Sequence, residues 1–111
     1  MRTEYHKLVR DRIPEIIRND GYICETVTMN EAEYQQALRE KLVEEALEAA
    51  AANEQHLIEE LADLYEIIDT IMVKHEIDVE TVRTEQQRRH HERGGFEQRI
   101  RLIAMSAPDT I

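Results

Sequence analysis

Two acidic clusters, Glu44-Glu45-Ala46-Leu47-Glu48 and Glu60-Leu61-Ala62-Asp63, hold the residue types of a divalent-cation site. Both lie in stretches with helical apolar periodicity. At about 100° of rotation per residue, Tyr34, Leu38, Leu42, Ala46 and Ala49 fall on one stripe of the first stretch. Glu45 sits in the middle of that stripe and Glu48 on its edge. In the second stretch Leu57, Leu61, Leu64, Ile68, Ile71 and Met72 share a face. Glu60 falls between Ile67 and Ile71, and Asp63 just outside. Glu59 and Glu66 point away, as helical acids normally do. A carboxylate inside an apolar stripe is costly unless something compensates it. Four converging carboxylates also repel one another, which raises some of their pKa values. A hard cation with oxygen ligands, Mg²⁺ or alternatively Mn²⁺, answers both problems. If the chain reverses near Asn53, Glu45 and Glu60 lie about equally far from the turn, roughly 11 Å at helical rise. The chain has 24 acidic residues in 111, so such spacings also arise by chance, and most charge runs are solvated faces. The placement of Glu45 and Glu60 within apolar stripes is what favours a site.

These residues also resemble a family. Glu-Glu-x-x-Glu followed by Glu-x-x-Asp is similar to the signature of the all-α nucleoside triphosphate pyrophosphohydrolases, the MazG-like group. That group includes phosphoribosyl-ATP pyrophosphohydrolase and the dimeric dUTPases. The opening Lys7-Leu8-Val9-Arg10-Asp11-Arg12-Ile13-Pro14 resembles the K-L-V-R-D-x-I-P start of small MazG-related proteins. The tail Arg93-Gly94-Gly95-Phe96-Glu97-Gln98-Arg99 resembles their R-G-G-F-x-x-R ending. The likeness thus spans nearly the whole chain, and three segments in this order are more specific than the acids alone. The interval between the acid motifs is short for the family, so the turn at Asn53 is expected to be tight. The resemblance implies hydrolysis of a nucleotide between its α- and β-phosphates. Glu45, Glu48, Glu60 and Asp63 would hold the metal, and Glu44 would position or deprotonate the attacking water.

The elements that must position these residues follow from caps and breakers. Pro14 suits a first helical turn and Gly21 a helix end, which predicts a helix from about Ile13 to Asn19. Tyr22 to Met29 alternates weakly and predicts a short strand. Asn30 with Glu33 forms a capping-box pattern at the head of a long helix, Glu31 to about Ala51. A second long helix is expected from about Glu54 to Lys74. A third starts at the cap Asp78, continues to about Glu92, and ends at Gly94-Gly95. Phe96 to Met105 is expected to form a strand pairing with Tyr22 to Met29, and Ser106 to Ile111 to fray. The expected class is therefore all-α or mostly α: a helical bundle with short terminal strands, one domain over residues 1–111.

Composition bounds the rest. Aromatics make up 5% and there is no Trp, so Leu, Ile, Val, Ala and Met must build the core. Two wide apolar stripes exceed what so short a chain can cover, which predicts a homodimer or homotetramer sharing its bundle. A net charge of −10 argues against a nucleic-acid surface, and against direct capture of a triphosphate unless a metal inverts the local field. The single Cys24 excludes an internal disulfide and suits a reducing, cytoplasmic setting. A charged start and the lack of an 18-residue apolar run argue against a signal peptide and a membrane span.

Basic residues gather at the two ends: Lys7, Arg10 and Arg12 near the start, and Arg83, Arg88, Arg89, Arg93, Arg99 and Arg101 near the end. They are the available counter-charges for phosphate, although surface balance explains any single one as well. Lys41 shares the side of its helix with Glu45 and Glu48, so it either reaches a substrate phosphate or pairs with a neighbouring acid. His90-His91 is expected to be solvated, and Cys24 has no base partner that would make it a nucleophile. Gly94-Gly95 lacks the frame of a phosphate loop. Two further readings stay open. One keeps the chemistry and makes phosphoribosyl-ATP or dUTP the substrate. The other is a non-catalytic acidic helical interaction module.

Overall fold

A computed structural model describes residues 1–109. It contains four helices, α1 (Ile13–Asn19), α2 (Glu31–Ala51), α3 (Leu57–Lys74) and α4 (Val79–Arg93), and no strand among the described residues. The chain forms two compact units, Met1–Glu76 and Ile77–Ile111.

The first unit is built on the antiparallel pair α2 and α3. Helix α2 begins where expected and for the expected reason. The Asn30 side chain accepts from the Glu33 N–H at 2.9 Å, and Glu33 returns the bond to the Asn30 N–H at 3.1 Å. These bonds satisfy two of the amides that a helix start leaves without partners. Helix α3 begins at Leu57 rather than Glu54. Asn53 takes the His56 N–H on its side-chain oxygen at 3.1 Å, and residues 54–56 form a turn instead of a first helical turn. Lys74 at the end of α3 pairs with Glu31 at the start of α2, which ties the open end of the hairpin. Between the helices Ala37, Leu38, Ile67 and Met72 are buried, and so is one acid, Glu45. Helix α1 opens with Pro14 in its first turn and stops before Gly21, whose φ of +90° is a conformation that L side chains rarely adopt.

In the second unit, Asp78 caps α4 by accepting the Glu80 N–H at 3.3 Å. None of its residues is buried. Ion pairs one turn apart brace it: Arg88 to Glu92 at 2.8 Å and Arg89 to Glu85 at 3.2 Å. Gly94, at φ +79°, closes it.

The expected strands are absent. Residues 22–29 and 99–105 carry no ladder, and 96–98 bend and turn. Weak alternation in an exposed segment does not make a strand. Without a partner for its N–H and C=O groups, the segment gains nothing over hydration of the backbone. The positive φ of Arg99, +59°, further interrupts the second segment.

Candidate metal centre

The α2–α3 hairpin brings the two acid motifs together. Glu45 comes from the middle of α2, Glu60 from the first turn of α3, and Asp63 from the next turn. One carboxylate oxygen from each lies within 4.8 Å of the other two. Glu45 is 8% exposed, while Glu60 and Asp63 are half-buried. One oxygen of Glu45 and one of Glu60 are buried and have no hydrogen-bond partner. Unpartnered buried oxygens are rare because each forfeits its hydration without return. Two of them on acids of one carboxylate cluster are consistent with the oxygen donors that Mg²⁺ or Mn²⁺ takes. The residues present therefore fit such an ion.

The helical phase accounts for the neighbours. Glu59 is exposed and lies 3.6 Å from His56, and Glu66 faces water. Glu48 is exposed and outside the group of three, yet its charge reaches Glu45. Burial, followed by the nearby charge of Glu48, pushes the Glu45 carboxyl above its ordinary value; Lys41 opposes the shift and Asp63 adds to it.

Basic side chains surround the acids. Lys41 lies 3.4 Å from Glu45 and 3.3 Å from Glu44. Lys7 meets the other oxygen of Glu44 at 3.3 Å. Burial is the largest single influence on the Glu44 carboxyl and acts upward. The bonds and charges of Lys41 and Lys7 together outweigh it and hold the group below its ordinary value. Arg10 donates to Asp63 at 2.7 Å. Arg12, grouped with Lys7 and Arg10 by sequence, instead pairs with Glu15 in α1 at 3.3 Å. Arg93 ends α4 in the second unit.

Beside Lys7, Lys41 and Glu44 lies a cavity of about 230 Å³, whose walls include Leu8, Met29, Gln36 and Ala37. The sequence marked Lys7 and Leu8 of its N-terminal wall as part of the opening motif, but not their place beside α2. His6, Leu8 and Met29 belong to irregular segments, and only the folded chain sets them against α2. Among the described residues no helix is long and apolar enough to cross a membrane. No family model, curated protein or solved structure matches the chain.

Proposed function

We propose that the chain is a metal-dependent nucleotide pyrophosphohydrolase of the MazG-like kind. It would cleave a nucleoside triphosphate between the α- and β-phosphates to give a monophosphate and pyrophosphate. The observation that carries this reading is the convergence of Glu45, Glu60 and Asp63 within 4.8 Å, with a buried unpartnered oxygen on each of the two glutamates. An acid placed for solvation or for partner contact has no reason to leave a carboxylate oxygen buried and unpartnered beside other acids.

Glu45, Glu60 and Asp63 would hold the ion, and Glu48, one turn along α2 from Glu45, would be the fourth ligand that the resemblance implies. When bound, Mg²⁺ neutralises phosphate charge and lowers the pKa of a coordinated water. Glu44 is held ionised by its two lysines, which is the form that accepts a proton from the attacking water. Lys41 and Lys7 stand at the edge of the same site and supply positive charge for the phosphate chain.

The same reading calls for a second copy. Apolar side chains remain outside the hairpin, among them Val43 and Leu47 on α2 and Ile58, Leu61 and Tyr65 on α3. A homodimer or homotetramer that packs these side chains would complete the bundle.

The test is a panel of nucleoside triphosphates, with dUTP and phosphoribosyl-ATP included, incubated with Mg²⁺ and scored for pyrophosphate release. Release from at least one substrate, lost on Glu45→Ala with helicity retained, is the expected result. Mn²⁺ binding that survives Glu45→Ala, with no release from any substrate, would favour the acidic interaction module.

A further inference from the structure

The irregular segment before α1 places two of its cations on the acids of the site. Arg10 holds Asp63 at 2.7 Å, and Lys7 holds Glu44 at 3.3 Å. Both are contacts across the fold, to residues far along the chain. Asp63 is one of the three converging acids, and Glu44 directly precedes another. A divalent cation on Asp63 and the Arg10 guanidinium would compete for one carboxylate and repel each other.

We propose that Lys7 and Arg10 form a polyphosphate-binding arm, which exchanges Glu44 and Asp63 for phosphate oxygens when a divalent cation takes up Asp63. This rests on the metal-site reading above and adds Arg10 and the exchange of carboxylate for phosphate. Four observations support it. The segment from Met1 to Arg10 has no helix or strand, so no ladder must break for it to move. Its backbone turns immediately before Lys7, at His6, whose φ of +48° is left-handed. The Lys7 and Arg10 side chains are about half exposed, which leaves their remaining N–H donors open to a ligand arriving from solvent. The cavity of about 230 Å³ bounded by Lys7, Lys41 and Glu44 gives such a ligand room beside the ammonium groups.

The chemistry of the partners favours the exchange. A guanidinium fork binds phosphate as readily as carboxylate, often with two parallel bonds. A side chain displaced from Asp63 remains tethered next to the ion. The highest density of negative charge then available to it is the phosphate chain bound to that ion. Arg12 lies outside the arm, because its guanidinium is held on Glu15 of its own helix. Binding of metal and of phosphate is therefore coupled, and the coupling must act in both directions.

The experiment uses the full chain, with Mn²⁺ as the metal and inorganic pyrophosphate as the phosphate probe, both followed by calorimetry. In the wild type, saturating Mn²⁺ should tighten pyrophosphate binding by about tenfold, within the usual span of coupling between sites. Arg10→Ala should move the two affinities in opposite directions. Mn²⁺ should bind several-fold tighter because a competitor is gone, and pyrophosphate about tenfold weaker because a ligand is gone. Lys7→Ala should weaken pyrophosphate in the same way, and Arg10→Lys should fall between wild type and Arg10→Ala. Arg2→Ala, whose partners are Glu4 and Glu25, should match the wild type. An Arg10→Ala protein that binds Mn²⁺ no more tightly, or pyrophosphate no more weakly, overturns the arm while leaving the metal centre standing. A wild type whose Mn²⁺ binding is absent, or is unaffected by Glu45→Gln, overturns the metal centre and the arm together.

Discussion

Adjacent acids in this chain have opposite fates. Glu59 and Glu60 are neighbours of identical chemistry, separated by about 100° of helix rotation. Glu60 has a buried, unpartnered oxygen and joins Glu45 and Asp63 in the carboxylate cluster, whereas Glu59 faces solvent beside His56. Glu60→Gln keeps the size and removes a charge that the proposed metal would need. It should lower pyrophosphate release on the order of 10²-fold or more, the usual consequence of a lost ligand in phosphoryl transfer. Glu59→Gln should leave rate and stability within about 0.5 kcal/mol, as surface changes do. Assays of the two variants side by side check the pair, and equal activities would contradict the assignment. Glu45 makes a prediction about pH. Its folded-state pKa is raised, so the native state binds more protons than the unfolded state, and stability falls as pH rises through that pKa. In chelator, Glu45→Gln should therefore melt higher than wild type at neutral pH, with the difference shrinking below the ordinary carboxylate range. It should also lose any rise in melting temperature that Mg²⁺ gives the wild type. Thermal scans against pH, with and without Mg²⁺, measure both. The burial of Glu45 and the exposure of Glu59 were legible from periodicity alone. The partners were not, because Arg10 to Asp63 and Lys7 to Glu44 are contacts across the fold that no local spacing encodes.

At the scale of elements, the helices were legible wherever a cap or breaker stood at the boundary. Asn30 with Glu33, Pro14, Gly21, Asp78 and Gly94 each mark an end that the structure shows. The start of α3 departed from expectation by three residues, since Asn53 serves the turn rather than the helix. The strands failed for a different reason: a strand is a property of two segments, and alternation within one segment says nothing about a partner. The capping box offers a direct check. Asn30→Ala removes an acceptor from the head of the helix that carries Glu44 and Glu45, and should cost about 1 kcal/mol in chemical denaturation. The site lies more than three turns away from this cap, so Mn²⁺ affinity of the folded protein should be unchanged. Coupled losses of stability and metal affinity would mean that α2 responds as a unit to fraying at its start.

At the scale of the molecule, the sequence placed apolar residues of the hairpin on two stripes, but few of them are buried within one chain. Only Ala37, Leu38, Ile67 and Met72 form the buried apolar core among the described residues. Static light scattering at micromolar concentration should therefore report a mass well above the 13.1 kDa of one chain. A stable monomer would refute the shared bundle. The hairpin has one further consequence, in time rather than in space. Residues 52–56 are all that separates the helix bearing Glu45 from the helix bearing Glu60 and Asp63. Closing so short a loop is among the fastest events available to a chain, on the order of tens of nanoseconds for about ten residues. The three acids can therefore meet early, as soon as the two helices form and pair. A divalent cation could then bind to a nascent hairpin and favour it over open forms during folding itself. Stopped-flow refolding should show a faster rate in Mn²⁺ than in chelator, with most of the stability gained from metal appearing in the folding arm rather than the unfolding arm. A gain confined to the unfolding arm would place assembly of the acids after the rate-limiting step.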